Sequence, residues 1–239
     1  MNLLLFAPHE IDPPLPRTDP RARHLIDVLR RRVGDEFDAG LVNGPRGKGR
    51  LVALDPDTLT LAFDWTTPPP VADAVTLLLG LPRPQTARDI LRDATTLGVA
   101  ALHFVATEKS EASYASSSLW RDDEWRRHVL AGAEQAFSTQ IPVVQHGAAL
   151  AAALTKLPPD AQLIALDNYE APRSLHEYGV IRHIPLVLAL GPERGWGARD
   201  RSALRAAGFE FAHLGSRVLR LESAVLVALA LAKAARGTL

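Results

Sequence analysis

The sequence predicts an α/β fold built on a mainly parallel sheet, with a smaller β-rich domain ahead of it. Three observations carry this reading. Short continuous apolar runs at 75–81, 163–166 and 186–190 have the composition of strands covered on both faces. Helical periodicities at 86–97, 124–137, 198–207 and 222–236 lie between and after those runs, so strand and helix alternate. The proline-rich stretch 66–70 reads as a stiff extended linker, which puts a domain boundary between 1–70 and 71–239.

The elements follow in order. Residues 3–6 form a short apolar strand. In 21–30, Leu25, Val28 and Leu29 fall at i, i+3 and i+4, one apolar helical stripe ringed by arginines. Gly34 and Asp35 break that helix and open a strand. Strands at 37–42 and 50–54 flank a turn at 43–49 containing Gly44, Gly47 and Gly49, a hairpin, and a further strand fits 58–65. Past the linker, strand 75–81 leads to a helix whose Ile90, Leu91, Ala94 and Leu97 share a face and whose end is capped by Gly98. A strand at 101–106, a serine-rich exposed loop at 109–119 and the helix 124–137 come next, before the two later strands and two later helices.

A chain of 239 residues buries enough surface to need no staples. With no cysteine it has no disulfide framework, no Cys-ligated metal and no thiol nucleophile. The N-terminus lacks a basic n-region, and the longest apolar run, 224–232, is far short of the ~20 residues of a membrane span. A cytoplasmic location is expected. Net charge is zero, from 27 basic and 27 acidic residues. All but four of the bases are arginine, which suits bidentate phosphate contacts and also follows from a GC-rich coding bias. Six arginines against Asp19 and Asp27 between residues 17 and 32, and Arg46, Lys48 and Arg50 in the hairpin, are local basic clusters. There is no G-x-S-x-G, no H-E-x-x-H and no phosphate loop, and the eight histidines have no metal-ligand spacing, so no metal is expected.

Two segments stand out. Gly191-Pro192-Glu193-Arg194-Gly195-Trp196 follows a buried strand and precedes a helix, where ligands of open α/β sheets bind. Leu214-Gly215-Ser216-Arg217-Val218-Leu219-Arg220-Leu221-Glu222-Ser223-Ala224 is a strand end, a glycine turn, two arginines and a Glu/Ser pair opening the last helix. In this order they resemble the G-P-E-G-G-F loop and the L-G-x-R-I-L-R-x-E-T-A segment of the RsmE-type family of SPOUT-class RNA methyltransferases. Arg23-His24-Leu25 through Val28-Leu29-Arg30 and Gly34-Asp35 is similar to that family's HL…VLR…GD. The stretch 93–99 is similar to its KATELGV, and Ala133-Glu134-Gln135 to its AEQ. Arg194 stands where the family has glycine, and Ser223 where it has threonine.

The resemblance implies an N-terminal PUA-like β-barrel that binds RNA and a C-terminal SPOUT α/β domain with a trefoil knot. It implies a homodimer that methylates N3 of a uridine in small-subunit ribosomal RNA. It also implies S-adenosyl-L-methionine held by three loops, with Leu166, Leu190, Gly191, Glu193, Gly195, Leu214, Gly215, Val218 and Leu219 as cofactor-binding residues. Uracil N3 must lose its proton, so Arg220 and then Arg217 are candidate clamps for the developing anion, and Glu222 is the nearest candidate base. Arg17, Arg21, Arg23, Arg30, Arg31, Arg46, Lys48 and Arg50 are the candidate RNA-binding residues. Two rivals stay open here: a ribosome-assembly factor that binds RNA without methylating it, and an α/β enzyme using a nucleotide cofactor on small molecules.

Overall fold

A computed structural model of the chain describes residues 3–71 and 73–239. It divides into two units, one holding 3–71 with Ala133–Ile141, the other 73–132 with Pro142–Leu239.

The first unit is a five-stranded sheet of β1 (Leu4–Phe6), β2 (Leu15–Pro16), β3 (Glu36–Leu41), β4 (Arg46–Leu54) and β5 (Thr58–Thr67), in the order β1-β3-β4-β5-β2. β1 joins β3 in parallel and the other pairs are antiparallel. β1 and β2 are the two edges and do not pair with each other, so the expected barrel is an open half-barrel. Its core holds Phe6, Leu25, Leu51 and Leu59. Asp19 caps the helix α1 (Pro20–Arg23) by accepting from the Arg21 amide at 2.8 Å.

Two expectations change here. The helix expected over 21–30 stops at Arg23 and widens into a π-turn over His24–Val28, closed by Leu29 N–H donating to the His24 carbonyl at 2.9 Å. The wider turn breaks the 3.6-residue stripe. Leu25 is buried and Leu29 half-buried, while Val28 is 66% exposed. The hairpin turn is also shorter than 43–49, because Gly47 and Gly49 lie within β4. They are glycines for close approach: a Cβ on Gly49 would sit 2.3 Å from the Phe37 ring, and one on Gly47 1.8 Å from the Asp64 carbonyl oxygen.

The second unit carries β6 (Asp73–Gly80), α2 (Pro84–Thr96), β7 (Val99–Ala106), α3 (Ser118–Arg121), α4 (Trp125–Gln135, whose last residues belong to the first unit), β8 (Val143–Ala149), α5 (Leu150–Leu154), β9 (Gln162–Leu166), β10 (Arg173–Ser174), β11 (Leu186–Leu190), α6 (Ala198–Ala206), β12 (Glu210–His213) and α7 (Leu221–Arg236). Its seven strands run in the order β10-β12-β9-β11-β6-β7-β8, every pair parallel. The chain moves outward from β6 through β7 to β8, crosses to the far side for β9, and then inserts β11 between β9 and β6. The segment expected as an exposed loop at 109–119 is only partly one. Leu119 and Trp120 are buried on α3, with the Trp120 ring 4.8 Å from that of Phe104. Among the described residues no helix is long and apolar enough to cross a membrane, and no group of three or more His, Asp or Glu is placed to hold a metal ion.

A buried charge cluster ties the end of α7 to the start of β6. Asp73 accepts from Lys233 Nζ at 3.0 Å, Arg236 Nε at 3.1 Å and Thr238 Oγ1 at 2.6 Å. Burial by itself raises the Asp73 carboxyl, but the hydrogen bonds from Thr238 and Lys233 and the charges of Lys233 and Arg236 outweigh it and hold it below its ordinary value of 3.8. Asp73→Ala leaves two buried cations without their anion and is expected to cost about 3–5 kcal/mol. Because the folded carboxyl is depressed, that stabilisation is complete at neutral pH and disappears as pH falls through the folded value. Urea unfolding of both proteins from neutral to strongly acid pH checks this: their midpoints should converge only at the acid end.

Candidate active site

Parallel strands send the loops after them to one edge of the sheet, and four such loops meet there. A cavity of about 750 Å³ is lined by the loop after β6 with the first turns of α2, and by the loops after β9, β11 and β12. That volume falls within the range of small-molecule sites. β6 and β11 are neighbours whose onward connections run in opposite directions, so the cavity sits at the topological switch point.

The loops after β6, β9 and β11 are braced by the chain's own polar groups. The Trp196 indole is fully buried and donates from Nε1 to the Leu166 carbonyl at 3.1 Å, joining the β11 loop to the end of β9. Asp167 turns the β9 loop by accepting from the Tyr169 and Glu170 amides at 2.6 and 3.0 Å, and Arg201 Nε holds its other oxygen at 2.7 Å. Glu193 accepts from the backbone and Nε of Arg83, fastening the β11 loop to the start of α2. Asp200 accepts from the Gly197 and Glu108 amides, and Lys109 Nζ donates to the Arg194 carbonyl at 3.2 Å. Gly191 serves the loop itself, since a Cβ there would lie 2.8 Å from the Gly195 carbonyl carbon and the Trp196 nitrogen.

Of the residues singled out in the sequence, Leu166, Leu190, Gly191, Glu193, Gly195, Leu214, Val218 and Leu219 line this cavity, together with Arg217, Arg220 and Glu222. Gly215 is on the same loop but is not among the lining residues. The side chains of Arg194, Arg217, Arg220 and Glu222 make no hydrogen bond or ion pair among the described residues. Sequence reasoning missed Arg83 at the N-cap of α2, Gln85, Thr86 and Asp89 on α2, and Asp167, Asn168 and Tyr169 from the β9 loop. Their one available signal was position, directly after an apolar strand.

In the first unit, Arg17, Arg23 and Arg30 are exposed, and Arg31 is half-buried with its Nε buried and unpartnered. Arg21 is committed to the fold: it pairs with Glu10 and Asp19, donates to the Leu5 carbonyl and lies 4.8 Å over the Phe6 ring. Arg46 donates to the Phe137 carbonyl at 2.8 Å, Lys48 pairs with Asp38 and Arg50 with Glu36.

Comparison with known proteins decides the family. Residues 68–233 match the RNA methyltransferase domain model. The chain belongs to the small-subunit ribosomal RNA methyltransferase E (RsmE) family. It is 31% identical over 239 residues to ribosomal RNA small subunit methyltransferase E of Treponema pallidum, covering 96% of this chain and 90% of that one. Against the protein of the same name from Synechocystis it is 30% identical, covering 95% and 75%. The fold superposes on ribosomal RNA small subunit methyltransferase E of Neisseria gonorrhoeae, solved bound to S-adenosyl methionine, with a TM-score of 0.76 at 25% identity over 98% of this chain and 97% of that one.

Trp196 occupies the place where the RsmE-type loop reads phenylalanine, and the ring nitrogen adds the bond to Leu166. Trp196→Phe keeps an aromatic ring there and strips the buried carbonyl of its donor. It is expected to cost about 1–3 kcal/mol, read as a lower urea midpoint with an unchanged slope.

Proposed function

We propose that this RsmE-family chain transfers a methyl group from S-adenosyl-L-methionine to N3 of a uridine in small-subunit ribosomal RNA, in the cytoplasm. The observation that carries the reading is one cavity at the switch point lined by both motif segments and ringed by unpaired arginines. The residues present fit the cofactor: the volume suits it, and Leu166, Leu190, Gly191 and Leu219 offer backbone groups and apolar surface on the strand ends. When bound, S-adenosylmethionine supplies a methyl group on a positively charged sulfur.

The chain's own task is the proton. Neutral uracil carries hydrogen on N3, and removing it spreads negative charge onto O2 and O4. Arg220, with Arg217 three residues before it on the same loop, would hold that charge through planar N–H donors. Glu222, half-buried in the first turn of α7, would accept the proton. Glu193 and Glu222 make no bond to Arg220, and Glu193 is already taken by Arg83, which supports a role for Arg220 toward substrate. In the first unit, Arg17, Arg23, Arg30, Arg31, Arg46, Lys48 and Arg50 would hold RNA phosphates, with Arg21 bracing the sheet beneath them. A homodimer is part of the same proposal, supported by the exposed apolar side of α7 at Leu226, Val227 and Leu231. So is the knotted backbone, with which the late insertion of β11 is compatible.

Arg220→Ala is expected to lower single-turnover methylation by roughly 10²–10³ at saturating cofactor, with calorimetric affinity for S-adenosylmethionine little changed. A normal rate constant would remove Arg220 from the chemistry. Replacing Arg30, Arg31 and Arg32 together with alanine is expected to weaken RNA binding and flatten the slope of log affinity against log salt. An unaltered slope places the RNA elsewhere.

A further inference from the structure

Among the exposed large apolar side chains of the described residues, Tyr169 is the single aromatic, at 81% exposure. It lines the cavity from the loop after β9. The backbone beneath it is fixed: its amide donates to Asp167, whose carboxylate is 2% exposed and is held in turn by Arg201. The Arg201 guanidinium lies 5.6 Å from the centre of the Tyr169 ring. The Tyr169 hydroxyl makes no hydrogen bond among the described residues. Val218, 82% exposed, lines the same cavity from the loop after β12, the strand paired with β9. Two large apolar side chains therefore stand in water on neighbouring loops, one of them on a base too heavily bonded to be a loose loop tip.

We propose that Tyr169 is the stacking platform for the base to be methylated, with Val218 adding apolar surface at the same mouth; this rests on the methyltransferase reading above. A base taken out of its stack loses stacking energy, and a protein ring returns it without regard to base identity. The exposure favours the target base over the cofactor's adenine. The cavity floor is made by buried strand ends, Leu166 and Leu190, whereas Tyr169 stands where a group entering from solution arrives first. A free hydroxyl on an otherwise satisfied loop fits a side chain used by its ring face. Stacking makes Tyr169 a determinant of RNA use and leaves base identity to the polar groups of Arg217, Arg220 and Glu222.

The test uses the full-length protein, with Tyr169→Ala and Tyr169→Phe, on small ribosomal subunits from a strain lacking this enzyme. Tyr169→Ala is expected to lower kcat/KM for the RNA substrate by about 10–100-fold, the range for removing one base–aromatic stack. Tyr169→Phe should stay within about twofold of wild type. The calorimetric Kd for S-adenosylmethionine should be unchanged in both, and so should Tm, because the side chain is exposed. Wild-type activity in Tyr169→Ala would overturn the proposal. A Kd for S-adenosylmethionine that weakens as much as activity would assign the ring to the cofactor. A phenylalanine variant as poor as alanine would assign the role to the hydroxyl. Wild-type protein that binds no S-adenosylmethionine sinks the methyltransferase reading and this proposal with it, a result separable from any tyrosine-specific one.

Discussion

Parallel register across the second sheet sets Ala212, Leu166, Leu190 and Leu79 in one row, each paired with the next. Because all four strands point the same way, their following loops leave from one level on one edge. Segments far apart in sequence, 81–89, 167–169, 191–196 and 214–224, thereby line one cavity. An antiparallel strand anywhere in that row would send its loop to the opposite edge. The site depends on this row more than on any single side chain. Hydrogen bonds between loops then fix what the row has gathered: Trp196 on Leu166, Glu193 on Arg83 and Lys109 on Arg194.

This dependence explains what could be read in the sequence. β9 and β11 are legible as Leu163–Leu166 and Leu186–Leu190 because burial on both faces leaves an unbroken apolar run. The edge strand β8 is illegible for the converse reason. Most of Val143–Ala149 is exposed, its Gln145 and His146 interrupt the run, and nothing in its pattern separates it from a loop. The segment 133–141 joins the first unit through contacts that leave no local mark: Thr139 donates to the Gly44 carbonyl, Ile141 to the Asn43 side chain, and Glu134 receives the Leu5 amide. The glycine-bearing loops after β11 and β12 were found by motif. The α2 side of the cavity was not, since Arg83, Gln85, Thr86 and Asp89 carry no glycine signature and reach the site only through the pairing of β6 with β11. Val28 is a different kind of miss, a periodicity defeated by one π-turn.

Charge pairing divides the arginines into those bonded within the fold and those whose guanidinium groups are left unpaired. Arg21, Arg88, Arg92, Arg201 and Arg236 each hold carboxylates or carbonyls within their own unit, and raised or depressed partners record it: Glu10 and Asp73 are both held below their ordinary carboxyl values. The arginines without a side-chain bond fall, apart from Arg182, into two stretches. One is 17–32 in the first unit, the other 194–220, where Arg194, Arg217 and Arg220 line the cavity and Arg199 does not. Net charge of zero conceals this uneven distribution of paired and unpaired arginines. Unpaired guanidinium groups repel one another and are stabilised when a polyanion arrives.

The same logic bears on the choice between two roles for Arg220. An arginine that braces a loop needs an acceptor within reach, and the loop offers two carboxylates, Glu193 and Glu222. Glu193 is engaged by both the amide and the side chain of Arg83, and the Glu222 carboxylate makes no hydrogen bond or ion pair among the described residues. Arg220 is instead the N-cap residue of α7, anchored through its own carbonyl, which accepts from the Ala224 amide at 2.8 Å, while its guanidinium is left free at the cavity wall. Its backbone is thus set by the helix start, while the exposed guanidinium is left able to meet a group that enters the cavity. The Glu222 carboxylate, two residues on in the first turn of the same helix, makes no ion pair with it among the described residues.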